Sequence, residues 1–412
     1  MTDSGGRTAP VALYIHVPFC ISICPYCDFV VYAGAASRGP RSRIPAFLDA
    51  VATEIDLRAA DLADPQPLES VYLGGGTPSL LSPASVAGLL DRVCLRFGIA
   101  PGAEVTLEVN PGPDERGDPQ AWRAAGVTRL SIGAQSLDAD DLRRLGRRHR
   151  PEDVAIAVET ARAAGIASIS LDLLYDLPGQ SLEAWNDTLE DALALGPDHL
   201  SLYALTLDDP DSEGLSGPLG DHLPTRAGAR RWRDRAAAAQ DDDRAAAQYR
   251  RAVECLASEG WRGYEISNWA RAGHESRHNL TYWQRRPFEA VGPGAHAFDG
   301  QARRWNAARL DGYVDALAAG RLPPGGSETV DAETGRSEEV ILGLRLDTGL
   351  PHEAANGPPL AGVVYWAEAA GLVDRAAGRI VLTTSGRLLS NEIFARLLPE
   401  AIDPEPRGAP AR

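Results

Sequence analysis

No lysine occurs anywhere in the 412 residues, so all 41 basic side chains counted as lysine or arginine are arginine. That absence excludes a P-loop lysine and a Schiff-base lysine, and a coding bias towards arginine is its simplest cause. Positive charge is also in deficit overall: the formal net charge is −16 and the pI is near 5.0. A protein that grips the nucleic-acid backbone needs a basic face to release counterions, so no nucleic-acid partner is expected. Long hydrophobic runs are missing too. The first nineteen residues offer neither a basic n-region with an apolar core nor a bilayer-spanning stretch, which predicts a cytoplasmic protein with at most peripheral membrane contact. Cysteine is sparse, with five residues, yet three of them (Cys20, Cys24 and Cys27) fall inside eight positions. In a reducing compartment such a cluster points to metal binding rather than to a disulfide framework.

What is present is enough for more than one core. A length of 412 residues with 44% hydrophobic content predicts a large domain and a smaller one. Short apolar runs alternate with helical patterns from Val11 to Leu205, the signature of repeated βα units on a parallel sheet. The predicted strands are Val11 to His16, Ser70 to Leu73, Glu104 to Val109, Thr128 to Ile132, Ser168 to Leu174 and His199 to Ala204. Phe47, Val51 and Ile55 recur on one helical face, and Ser82-Pro83 supplies an N-cap and a first-turn proline for a helix reaching Phe97. The segment 208–243 is rich in Gly, Pro, Ala, Arg and Asp and reads as a surface excursion with some exposed helix and no chemistry. From about Glu328, helices near Glu338 to Leu346 and Ala361 to Ala370, a hairpin-like GLVDRAAGRIVLT and a last helix resemble a small winged-helix unit. Its acidity favours docking over DNA binding.

The unusual residues follow strand ends, where parallel barrels gather their chemistry: the cysteines, Gly74-Gly75-Gly76, Glu108-Val109-Asn110 and Asp172. Spacing of the form CxxxCxxC can bring three thiolates to three corners of an iron-sulfur cubane and leave one iron open; a zinc site with a distant fourth ligand fits the same spacing. Three glycines after a strand let backbone approach a ligand closely, or simply make a tight turn. Cys94 and Cys255 lie within helical patterns and read as apolar packing.

The stretch YIHVPFCISICPYCDF from Tyr14 to Phe29 resembles the radical S-adenosylmethionine (SAM) superfamily, and within it the branch of oxygen-independent coproporphyrinogen III oxidases and HemW-type heme chaperones. The likeness continues in order through LGGGTPSLL from Leu73, TLEVNPG from Thr106, RLSIGAQS from Arg129, LGRRH from Leu145, LDLLYDLPGQ from Leu171 and SLYALT from Ser201. It runs on through YEISNWA from Tyr264, RHNLTYW from Arg277 and VGPGAHAF from Val291. The resemblance implies an α/β fold, a partial (β/α)6 radical SAM barrel with a small C-terminal helical or winged-helix-like domain. On that reading residues 1–210 form the barrel core with the [4Fe-4S] loop. Residues 211–325 form an extension that completes the barrel and includes a surface insertion near 211–245, and 326–412 form the C-terminal domain.

The resemblance also implies SAM chelating the open iron of a cluster held by Cys20, Cys24 and Cys27. Tyr14, Gly76, Glu108, Ala204 and His296 match positions that line this SAM, and Tyr26, Thr77, Gln135, Arg147 and Asp172 match positions around a second SAM in the decarboxylating relatives. His278, Asn279, Tyr282 and Trp283 form HNxxYW, a motif of the heme-chaperone branch associated with heme; taken alone, a satisfied histidine beside packed aromatics explains it equally. The oxidases carry a further cysteine two residues after the third cluster cysteine, where Phe29 stands here, and a longer segment before the cluster. Both departures put oxidase activity in doubt. The expected function is a chaperone that binds a [4Fe-4S] cluster, SAM and heme and delivers heme to a respiratory acceptor protein, with a reductant protein as a further partner and a monomeric or dimeric state. The alternative is oxidative decarboxylation of coproporphyrinogen III. Asp176, in YDLPGQ, stands where the family usually has glycine; if φ is positive there, Asp tolerates it better than most residues.

Overall fold

The computed structural model describes residues 8–33, 40–62, 65–207, 210–212, 214–355, 357 and 360–398. Positions 1–7, in the stretch read for a targeting signal, positions 208, 209 and 213 of the polar segment, and positions 399–412 of the predicted third domain lie outside the described residues. No described helix is long and apolar enough to cross a membrane.

All six predicted strands form, as β1 (Ala12–Val17), β2 (Leu68–Gly75), β3 (Ile99–Val109), β4 (Arg129–Gln135), β5 (Ser168–Tyr175) and β6 (His199–Ala204). They lie side by side in chain order, every neighbouring pair parallel. Their apolar positions are buried, among them Leu13, Ile15, Val71, Leu107, Ile132, Leu171 and Leu200. The sheet grows beyond them through short strands that the hydrophobic pattern does not reveal: β7 (Arg262–Gly263) and β8 (Asn268–Ala270) at one edge, and β9 (Phe288–Val291), β10 (His296–Phe298), β11 (Ala302–Asn306) and β12 (Gly325–Thr329) at the other. The order is β12-β11-β10-β9-β1-β2-β3-β4-β5-β6-β8-β7, with β9 still parallel to β1 and the pairs β9-β10, β10-β11, β6-β8 and β8-β7 antiparallel.

Phe47, Val51 and Ile55 are fully buried on the helix Pro40–Ala60. The helix Pro83–Arg96 starts as expected, with Ser82 Oγ accepting from Ser85 N at 3.1 Å, and it buries Val86, Leu89, Leu90 and Val93. Cys94 follows Val93 and turns outward, so the expectation that it packs in a core is corrected: it is exposed, and Cys255 is only half-buried. Asp176 does take a positive φ, 55°, and its carboxylate is held by Arg244 Nε at 3.0 Å.

One charge lies at the centre of this unit. Glu54 is wholly buried; its Oε1 accepts from Arg58 Nη2 (3.1 Å) and Asn306 Nδ2 (2.9 Å), and its Oε2 from Gly292 N (2.9 Å) and Tyr313 Oη (2.7 Å). Both oxygens are saturated by partners from four other places in the chain, the condition under which a buried ion is tolerated.

Contacts divide the chain into two compact units. The first takes positions 1–263, 267–282 and 286–328; the second takes 264–266, 283–285 and 329–412. The second unit has a three-stranded antiparallel sheet of β13 (Leu350–Pro351), β14 (Val373–Ala376) and β15 (Arg379–Leu382) in the order β13-β15-β14. With the helices Ala332–Arg345 and Leu360–Ala369 it closes a core of Leu344, Val364, Ala367, Leu372 and Ile380, a winged-helix-like arrangement.

Candidate functional site

The cysteines ride on the loop that leaves β1. Its base is clamped: Cys20 N donates to Tyr32 O (3.1 Å), Tyr32 N donates to Pro18 O (2.7 Å), and Phe19 and Tyr32 bridge as parallel partners. Inside it Cys27 N donates to Cys24 O at 3.1 Å, the turn that the tight spacing needs. Cys20 and Cys27 pack with Ile23, Val31 and Ala33. Burial above all pushes the Cys20 thiol up to about 12 and that of Cys27 higher, with the neighbouring cysteines adding to both. Burial thus disfavours the thiolate forms of Cys20 and Cys27, and a bound cation restores them, so loading metal releases protons.

Among the described residues no three His, Cys, Asp or Glu side chains are gathered around one point as ligands of a single ion. A cubane takes one thiolate per iron at separate corners, and the donor set fits it.

A chain of hydrogen bonds ties two of the sulfurs together. Thr77 Oγ1 donates to Cys20 Sγ (3.4 Å), Asn110 Nδ2 donates to Thr77 Oγ1 (2.9 Å), and Arg147 donates to Asn110 Oδ1 (2.6 Å), Gly133 O (2.8 Å) and Cys24 Sγ (3.7 Å). Arg147 Nε stays buried without a hydrogen-bond partner, a donor fit for a ligand carboxylate. Tyr26 lies against Cys24 and Trp232. A bulge in β4 swings Gln135, at φ 67°, to the same end of the sheet.

The three glycines make room, but protein fills it. A Cβ on Gly76 would stand 2.7 Å from the carbonyl oxygens of Val17 and Phe19, and one on Gly75, at φ 104°, would strike the His16 ring at 2.3 Å. The close approach is thus between β2 and the start of the cysteine loop, recorded also in Gly76 N donating to Val17 O (2.9 Å) and Thr77 N donating to Phe19 O (2.7 Å).

Arg233 is the residue that sequence reasoning missed. It sits on the helix Ala227–Ala237, in the segment expected to be a surface excursion without chemistry, yet it is buried. Its guanidinium donates to the carbonyls of Pro25 (3.2 Å), Tyr26 (3.3 Å) and Cys27 (2.9 Å). One side chain thereby holds three consecutive carbonyls of the loop. Residues that orient metal ligands typically govern affinity ten- to a hundredfold. Arg233→Ala is expected to lose iron to a chelator roughly tenfold faster than the parent chain, with Arg233→Lys in between; equal rates for all three would remove that role.

At the ends of β1, β2 and β3 lies a second group. Glu108 Oε1 accepts from Tyr72 Oη (2.8 Å) and its Oε2 from Gly75 N (2.8 Å). Tyr14 and Tyr72 lie 6.0 Å apart between ring centroids. Burial, and then the charge of Asp172, push the Glu108 carboxyl up to about 7 against the pull of those two donors. Asp172 is itself raised by burial, although hydroxyls of Ser201, Ser131 and Ser170 donate to it. Ala204 closes β6 opposite Tyr175.

The sign of the Glu108 effect is definite. Its folded pKa lies above the ordinary value of 4.5, so the fold binds the proton more tightly than the unfolded chain does. Its contribution is present below pH 4.5 and is lost as pH rises through about 7, by up to about 3 kcal/mol. Urea midpoints of the parent chain should fall between pH 5 and pH 8 relative to those of Glu108→Gln; parallel profiles would refute the shift.

HNxxYW is divided between the units. His278 is buried, with Nδ1 hydrogen-bonded to Ser70 Oγ (2.9 Å) and Nε2 to Tyr282 Oη (2.7 Å), so neither nitrogen is open; burial drives its pKa down to about 3. Asn279 N caps onto Ser276 Oγ at 3.3 Å. Tyr282 packs edge-on to Phe288 at 4.6 Å, whereas Trp283 belongs to the second unit, under the guanidinium of Arg345 at 4.1 Å. Tyr282 and Phe288 line a cavity of about 430 Å³ together with Tyr14, His16, Asp28, Phe29, Val30, Asp221, His222, Gly294 and His296.

A parallel six-stranded core with its chemistry-bearing loop directly after the first strand defines a radical SAM protein, and the sequence pattern of the Radical SAM superfamily matches residues 14–192. A Mycobacterium tuberculosis (strain H37Rv) protein named Heme chaperone HemW is 39% identical over 395 residues, covering 94% of this chain and 95% of that protein. A protein of the same name from Bacillus subtilis (strain 168) is 32% identical over 400 residues, covering 94% and 99%. The chain belongs to the HemW family. It shares its fold with the solved structure of the Escherichia coli coproporphyrinogen III oxidase, with a TM-score of 0.77 at 24% identity over 95% of this chain and 90% of that one.

Proposed function

We propose that this chain is a cytoplasmic heme chaperone that carries a [4Fe-4S] cluster and SAM and passes heme to a respiratory acceptor protein. The observation that carries the reading is the match to proteins named Heme chaperone HemW over nearly the full length of both partners. Cys20, Cys24 and Cys27 would hold the cluster, and when bound the cluster and SAM supply one-electron chemistry at the open iron. The chain's own residues have narrower tasks. Thr77 donates to the Cys20 sulfur and Arg147 to the Cys24 sulfur, Arg233 fixes the loop, and Arg147 Nε is free to receive a carboxylate. Glu108, raised to about 7 by burial, would give up its proton when a cationic amine approaches.

Phe29 weighs against the oxidase alternative. It stands where the resembling oxidases carry a cysteine, and its side chain is 60% exposed, presenting an apolar face and no thiol. The test is heme titration of cluster-loaded protein, followed by anaerobic incubation with SAM, reductant and coproporphyrinogen III. Saturable heme binding without protoporphyrinogen formation is expected. Absence of saturable binding would overturn the chaperone reading, and protoporphyrinogen would replace it with the oxidase.

A further inference from the structure

Two carboxylates line the cavity beside the cysteine loop, Asp28 and Asp221, and no arginine lines it with them. Asp28 is exposed and screened by water, whereas the Asp221 side chain is only 13% accessible. Its Oδ1 accepts from His222 Nδ1 at 2.9 Å and its Oδ2 from His296 Nε2 at 2.8 Å. Burial by itself would raise the Asp221 carboxyl, but His222, first through its hydrogen bond, and then His296 hold the group below the ordinary carboxylate range. Asp221 is therefore an anion at pH 7. Burial pushes His16 down to about 4 and lowers His296 as well, so neither imidazole balances that charge. Arg303, whose charge reaches His296 from β11, is bound to Glu328 Oε1 at 2.6 Å.

The carboxylate is also fixed in place. Gly220 O accepts from Ala308 N at 2.8 Å, and a Cβ on Gly294 would stand 3.0 Å from Asp221 O and 2.5 Å from Val30 Cγ2, so this segment packs directly on the turn before β10 and on the end of the cysteine loop. A largely buried charge with no counter-charge is costly, and a cationic ligand supplies what is missing. Among the described residues no three side chains gather as ligands of a metal ion, which points to an organic cation. The cavity is placed for one that also reaches the cluster: Asp28, Phe29 and Val30 directly follow Cys27, and Tyr14 lies within the field of Glu108. Tyr14 and His296 are, in addition, two of the positions matched to SAM, whose sulfonium carries a positive charge.

We propose that Asp221 is a specificity-determining residue for SAM: its charge makes the cavity favour the sulfonium cation over the neutral thioether S-adenosylhomocysteine. The assignment rests on the SAM-binding part of the reading above. The two molecules differ by one methyl group and that charge, and they share the amino and carboxylate groups that would chelate the open iron. Chelation therefore cannot tell them apart, whereas a fixed anion in a partly desolvated cavity can. His222 and His296 are positioning residues in this arrangement, holding the carboxylate between two N–H groups.

The experiment is anaerobic calorimetric titration of cluster-loaded full-length protein, without reductant so that SAM stays intact, with SAM and with S-adenosylhomocysteine. The parent chain should bind SAM roughly tenfold more tightly than the thioether. Asp221→Asn should bring that ratio close to one by weakening SAM alone, and Asp221→Glu, which keeps the charge, should preserve it. Affinity for the thioether reports whether the variant site is still formed, so the ratio isolates the charge from a merely structural role. A parent chain without preference, an Asp221→Asn chain that keeps the preference, or one that weakens both ligands equally would overturn the assignment. Each of those results leaves SAM binding itself standing. Failure of the cluster-loaded parent chain to bind SAM at all would instead overturn the SAM-binding reading on which the assignment rests.

Discussion

Replacing any one of Cys20, Cys24 or Cys27 with serine should abolish the cluster: after anaerobic reconstitution, iron and sulfide should fall close to the level of a metal-free control. The three thiols share one loop and the cubane takes one from each, so no partial site remains when one is lost. Cys94→Ser and Cys255→Ser should retain the full iron content, since the first thiol faces solvent and the second is half-buried on the helix Asp242–Ser258. A serine variant at one of the three that kept all its iron would remove that cysteine from the ligand set.

The largest effect on stability is expected at Glu54, far from any thiol. Glu54→Ala leaves the Arg58 guanidinium buried beside the emptied space and strips acceptors from Asn306, Gly292 and Tyr313. Breaking a buried pair in this way costs about 3–5 kcal/mol, whereas Glu54→Gln, which keeps shape and one acceptor, should cost about 1–3 kcal/mol. Denaturant midpoints of the three chains at pH 7 check the order. Equal midpoints for parent and Glu54→Ala would show that the network adds nothing to stability.

Much of this architecture could be read directly from the chain. The six parallel strands announce themselves because each is a short run whose apolar positions are buried, and the cysteine spacing is a local property that needs no tertiary knowledge. Strands β7 to β12 could not be seen in the same way: they are two to five residues long, and pairing at a sheet edge rather than apolar content defines them. The glycine run was legible as a place of close approach, but which atoms approach depends on the register of β2 against β1. Asn110 lay in view within the TLEVNPG motif, and only the fold reveals that it links Thr77 to Arg147. Arg233 had no signal of any kind. Its segment is polar and rich in arginine, aspartate and glycine, the composition of a solvated loop, and it matters through carbonyls about 206 to 208 positions away.

Arg233 has one more implication. Because a single guanidinium joins the helix Ala227–Ala237 to the carbonyls of the cysteine loop, order in the one is thermodynamically linked to order in the other. Metal loading should therefore protect this helix from proteases and slow its amide exchange, although the helix supplies no thiol. By reciprocity, an antibody or partner that immobilised the helix would tighten the hold on iron by the same factor. The arginine is in that sense a lever through which events at the protein's surface and events at its metal can each be felt by the other.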